Sequence, residues 1–103
     1  MSDAPGSAAD LVEEEIRFTL AELCSVCGAG PSELIVLVDE GVLEPAGHGP
    51  EDWLFFGASL RRARLALRLA RDLELGAAGT ALVVDLLDEI ERLRSQLRRV
   101  GIR

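Results

Sequence analysis

The period of the apolar positions changes along this chain, and each change marks an element. Glu15-Ile16-Arg17-Phe18 alternates polar and apolar, which predicts a short edge strand. Thr19 follows with Glu22 three positions on, a capping box in which the hydroxyl and the carboxylate each accept from a free backbone amide, so a helix is expected over Leu20–Cys27. Gly28 is its left-handed terminator, and Ala29-Gly30-Pro31 makes a tight turn with Pro31 at the first position of a second helix ending at Gly41. Leu20, Leu23 and Cys24 share one face, and Leu34, Leu37 and Val38 another, so the two helices can pack across the turn as a helix-turn-helix unit.

A hairpin wing is expected next. Gly41-Val42-Leu43-Glu44-Pro45 opens it, Ala46-Gly47-His48-Gly49-Pro50 forms the tip, Trp53-Leu54-Phe55-Phe56 returns, and Gly57 closes it. A long third helix then runs from Ser59 to about Leu75, with Leu60, Ala63, Ala66, Leu67, Ala70 and Leu73 inward and Arg61, Arg64, Arg68 and Arg71 outward. Gly76 interrupts it. From about Ala78 to Val100 the residues Val83, Leu86, Ile90, Leu93, Leu97 and Val100 are spaced three, four, three, four, three, a heptad seam expected to close a dimer. Asp88 with Arg92, and Glu91 with Arg94, are expected to pair on its outer surface.

Charge changes what this architecture can bind. From Phe18 to Leu60 the chain carries Glu22, Glu33, Asp39, Glu40, Glu44, Glu51 and Asp52 and not one Lys or Arg. A helix-turn-helix with a wing is a layout for gripping DNA, yet this surface repels phosphate. It suits a neutral or basic partner, for which a protein is the natural candidate. By segment the net charge is −4 over residues 1–17, −7 over 18–60 and +4 over 61–103, an acidic head on a basic stalk. Every one of the eleven cations is Arg. The arginine stripe of the third helix reads as a solvated face, with phosphate contact as the alternative.

Length and composition bound the rest. With 103 residues, 49% of them hydrophobic, the chain is one small globular domain. Three parts are expected: a flexible tail over 1–13, a winged head over 14–57, and a helical connector with a dimerisation helix over 58–103. No apolar run reaches the roughly 20 residues of a membrane span and no signal peptide is visible, so the expected location is the cytoplasm.

No chemistry stands out. Cys24 and Cys27 form a C-x-x-C pair, but a structural zinc site needs four ligands and there is no second pair, while a redox pair begins a helix instead of ending one. His48, the one histidine, sits between glycines without a nucleophile or orienting acid, and the Gly28–Gly30 turn lacks the lysine of a phosphate loop. The chain therefore reads as no enzyme, with no cofactor and no metal. Trp53 is either the packing of the wing onto the third helix or an interface anchor.

Several phrases together resemble one family. Phe18-Thr19-Leu20-Ala21-Glu22-Leu23-Cys24, Glu33-Leu34, Val38-Asp39-Glu40-Gly41-Val42-Leu43-Glu44-Pro45, Trp53-Leu54-Phe55 and Leu86-Leu87-Asp88-Glu89-Ile90 are similar to the MerR-type winged-helix chaperone modulators, the CbpM family. The resemblance covers about residues 14–100. It implies a mainly α fold, a MerR-like winged helix-turn-helix with a small β wing followed by two helices. It also implies an adaptor that binds the J-domain of a DnaJ-like co-chaperone and inhibits its work with a DnaK-type chaperone. J-domains of that kind dock through a basic helix, which the acidic head complements. MerR regulators carry Arg or Lys in the second helix and wing, where this chain has Ser32-Glu33-Leu34-Ile35 and His48-Gly49-Pro50, and they sense effectors through C-terminal cysteines that are absent here. The expected partner surface is drawn from Glu33, Asp39, Glu40, Glu44, Glu51, Asp52 and Trp53, in a homodimer closed by the heptad seam. A DNA-binding MerR-like regulator and an antitoxin-like or structural dimerisation module are the alternatives.

Overall fold

The computed structural model describes residues 16–101. The tail expected over 1–13 and the Glu15 end of the first strand lie outside the described residues. In chain order the elements are β1 (Arg17–Thr19), α1 (Leu20–Cys27), α2 (Pro31–Asp39), β2 (Leu54–Phe56), α3 (Gly57–Asp72) and α4 (Ala77–Arg99). The fold is mainly helical, a MerR-like helix-turn-helix with a small sheet beside it.

Local signals set the first half. Thr19 Oγ1 accepts from the Glu22 amide at 3.1 Å while Glu22 Oε1 accepts from the Thr19 amide at 2.8 Å, so the capping box at α1 is complete. Gly28 ends α1 at φ 65°, where a side chain would be strained. Pro31 opens α2, and the two helix axes turn by 110° across the break, the angle of a helix-turn-helix.

The wing differs from the expected hairpin. β2 pairs antiparallel with β1, with Arg17 opposite Phe56, Phe18 opposite Phe55 and Thr19 opposite Leu54. The expected first wing strand, Gly41 to Pro45, does not form; a single bridge joins Ala46, expected in the tip, to Leu54. Burial is the reason: a strand alternates its side chains between two faces, but Val42 and Leu43 are consecutive and both enter the core. Their amides bond to the Leu37 carbonyl at 2.9 and 3.3 Å, wrapping the chain around the end of α2 instead of into a ladder. Gly57, expected to close the hairpin, opens α3, which begins before Ser59 because Phe56 already serves as its N-cap.

One core joins all of this. Leu23 of α1, Leu34 and Leu37 of α2, Phe55 of β2, Ala63, Ala66 and Leu67 of α3, and Ala81 and Val84 of α4 form a single buried cluster with Val42 and Leu43. Each large side chain buried there contributes roughly 2 kcal/mol. α3 ends three residues early, so Leu73, expected inward, is exposed. Glu74 then adopts φ 54° and the Leu75 amide reaches back to the Ala70 carbonyl at 3.1 Å, a left-handed cap without a glycine. The expected outer pairs on α4 are also rearranged. Asp88 bonds Arg62 of α3, Arg92 turns back to Glu89, and Glu91 takes Arg98, because a packed neighbouring helix supplies Asp88 with a cation that spacing along α4 does not reveal.

Candidate protein-binding surface

The outward face of α2 carries the acidic cluster. Ser32, Glu33, Val36, Asp39 and Glu40 are all exposed, and their spacing places them on one side of the helix. Glu33 has a structural duty as well: its Oε1 accepts from the Gly30 amide at 2.9 Å, a favourable place for a negative charge at a helix N-terminus. Asp39 and Glu40 sit at the other end, where the helix dipole is negative and no basic residue occupies the last turn. Two acids there work against helix stability by a few tenths to about 1 kcal/mol each. Folding does not account for them.

A cleft opens beside this face. It has a volume of about 310 Å³ and lies between α2, α3 and the first turn of α4, with Glu33 and Val36 on one wall and Ala66 and Ala70 on the other. Thr80 lines it as well; that residue is fully buried, and its hydroxyl has no hydrogen-bond partner. Arg71 of α3 stands near the rim, 3.9 Å from Glu33 and 3.4 Å from the Gly28 carbonyl.

The other expected contact residues lie elsewhere. Glu44 lines a second, more polar cleft with Val42, Phe56, Arg62 and Asp88. Glu51 and Asp52 are in the turn before β2, where the Asp52 carboxylate accepts weakly from the His48 amide at 3.4 Å. Gly47 allows this turn to close, since a Cβ there would meet the Asp52 carbonyl oxygen at 2.6 Å. Trp53 is half-buried, packed against the core and edge-on to Phe55 with ring centroids 5.9 Å apart. The acidic set is thus split between an α2 face and a wing turn.

Comparison with known proteins bears on the fold and the family. The family model described as MerR HTH family regulatory protein matches residues 18–101. A Chaperone modulatory protein CbpM from Pseudomonas putida (strain GB-1) is 36% identical over 81 residues, 79% of this chain and 80% of that protein. The protein of the same name from Coxiella burnetii (strain Dugway 5J108-111) is 34% identical over 88 residues, 85% of this chain and 83% of that one. The chain belongs to the CbpM family of MerR-type helix-turn-helix proteins.

In this CbpM-family chain the cysteines are quiet. Cys24 and Cys27 are free and half-buried, and burial raises both thiols above their ordinary value of 9.0, with Glu33 adding to the shift at Cys24. Neither is a poised nucleophile. Among the described residues no group of three or more His, Cys, Asp or Glu is placed to hold a metal. No single helix among them is long and apolar enough to cross a membrane.

The second half of α4 leaves the core. Thr80, Ala81 and Val84 are buried, Val83 is half-buried, and beyond Val84 only Ser95 is even partly covered. Leu86, Ile90, Leu93, Leu97 and Val100 of the heptad seam are all exposed, and Leu82 and Leu87 widen the apolar stripe. Val36 and Thr80 went unnoticed in the sequence, and Ala70, placed on the inward face of α3, was expected only to pack. Val36 interrupts a run of acids at helical spacing, which is a usable signal; Ala70 and Thr80 offer none.

Proposed function

We propose that this chain is a non-catalytic chaperone modulator whose acidic head binds the basic face of the J-domain of a DnaJ-like co-chaperone and so blocks its work with a DnaK-type chaperone. The observation that carries this reading is Asp39 and Glu40 at the uncompensated end of α2, a placement that costs stability and serves recognition. The names of the CbpM relatives support the chaperone side of it. Glu33 belongs to the same face, with Glu44, Glu51, Asp52 and Trp53 as the wider margin. The segment from Phe18 to Leu60 itself carries seven acids and no cation, which favours a basic protein over DNA.

The test is the affinity of a J-domain for the natural chain and for the double variant Asp39→Arg, Glu40→Arg. Tight, salt-sensitive binding by the natural chain and a loss of about tenfold or more in the variant are expected. Unchanged affinity with an intact circular dichroism spectrum moves the contact away from α2. Recovery of DNA fragments in place of a J-domain protein overturns the adaptor reading in favour of a regulator.

The stalk serves self-association in this reading. The seam is symmetric about the Glu91–Arg92 bond: Val83 mirrors Val100, Leu86 mirrors Leu97, and Ile90 mirrors Leu93. Asp85, Asp88, Glu89 and Glu91 precede that centre, and Arg92, Arg94, Arg98 and Arg99 follow it. An antiparallel pair superposes all the apolar layers and sets each acidic half against a basic half of the partner.

A further inference from the structure

We propose that the cleft between α2, α3 and the first turn of α4 is the anchor pocket of the partner surface, and that it receives one apolar side chain from a basic amphipathic helix. This rests on the adaptor reading and narrows its contact set from acids scattered over head and wing to a single face of α2.

Three observations carry it. The first is shape: at about 310 Å³ the cleft falls within the size range of binding pockets, and it stays open because Ala66, Ala70 and Ala77 present only methyl groups opposite Val36. The second is the lining: Leu37 and Leu67 join Val36 and the alanines in a mostly apolar wall that matches an apolar side chain. The third is the charge pattern on the rim. Val36 is exposed and apolar, with Glu33 about one turn before it and Asp39 and Glu40 about one turn after. The complementary partner is a helix carrying an apolar residue flanked by Lys or Arg three or four positions away on each side.

The Glu33–Arg71 contact does not block such a partner. At 3.9 Å between two half-exposed side chains it is a weak pair, and an incoming cation can replace Arg71.

Kinetics separate the pocket from the rim. Ala70→Leu fills the cleft, and with a J-domain as ligand it should raise the dissociation rate by about tenfold or more while leaving the salt dependence of association unchanged. Glu33→Gln should do the reverse, slowing association in a salt-dependent way. Should Ala70→Leu disturb the fold, Val36→Ala decides, because Val36 is solvent-facing: a rise in dissociation rate of about threefold or more is expected. A J-domain that binds the natural chain and leaves these folded cleft variants at the same rate overturns the pocket and spares the adaptor reading. No binding to the natural chain overturns both.

Discussion

Arg62 and Asp88 lock α3 to α4: the guanidinium donates from Nη1 to the Asp88 carboxylate at 2.9 Å while its Nε donates to the Val42 carbonyl at 2.8 Å. One side chain thus ties the loop after α2, the connector helix and the root of the stalk. The two bonds are unequal in weight. Val42 is buried and its carbonyl has little access to water, whereas the Asp88 side chain is more than half exposed. Arg62→Ala should therefore destabilise the fold by about 1–2 kcal/mol, and Asp88→Asn by less than about 1 kcal/mol. Urea denaturation of the two variants checks the order. Equal losses would mean that the ion pair, and not the carbonyl, carries the contact.

Glu74 holds φ 54°, a conformation that costs a non-glycine residue roughly 1 kcal/mol. Glu74→Gly removes that strain but adds freedom to the unfolded chain, so a net gain of about 0.5 kcal/mol is expected. A raised midpoint in thermal melting, with binding unaltered, is the outcome to look for. A drop in the midpoint would place some other role on the Glu74 side chain.

The cysteines predict a pH dependence. Burial raises Cys24 and Cys27 in the folded state, so the unfolded thiols ionise first as the solution becomes alkaline. Their contribution to stability is fully present below the ordinary value of 9.0 and is lost as pH rises beyond it through the folded values. The denaturation midpoint should fall between pH 8 and pH 10, and fall less in a Cys24→Ala, Cys27→Ala variant. Alkylation at pH 8 should also be slower in the native chain than in the chain unfolded by urea.

The stalk makes a geometric prediction. Mixing Leu86→Cys with Leu97→Cys chains under mild oxidation should give disulfide-linked heterodimers if the helices run antiparallel, because those two layers coincide across the centre at Glu91–Arg92. Homodimeric cross-links of Leu97→Cys alone would mark a parallel pair. Size-exclusion chromatography with light scattering gives the underlying stoichiometry.

What could be read from the sequence was what depends on near neighbours. The Thr19–Glu22 box, the Gly28 terminator and Pro31 at the start of α2 each involve residues within one turn, and each lies where its spacing put it. The first wing strand failed because the fate of Val42 and Leu43 is decided by the core they enter, which local alternation does not contain. The ion pair of Asp88 failed for the same reason, its partner lying 26 positions away. Of the candidate surface, the acids were legible from composition alone. The cleft was not: Ala66, Ala70 and Thr80 look like packing residues until α2, α3 and α4 are seen to leave space between them.

The continuity of α4 turns it into a lever. Its first turns are clamped in the head by Thr80, Ala81 and Val84, while the same unbroken helix carries Val100 about 24 Å further on, at 1.5 Å per residue. Thr80 also lines the cleft, which therefore sits at the root of this arm, and over that length an angle of about 5° at Val84 corresponds to roughly 2 Å at the tip. In a pair of chains joined through their stalks, the angle at which each α4 leaves its head would set the spacing between the two clefts.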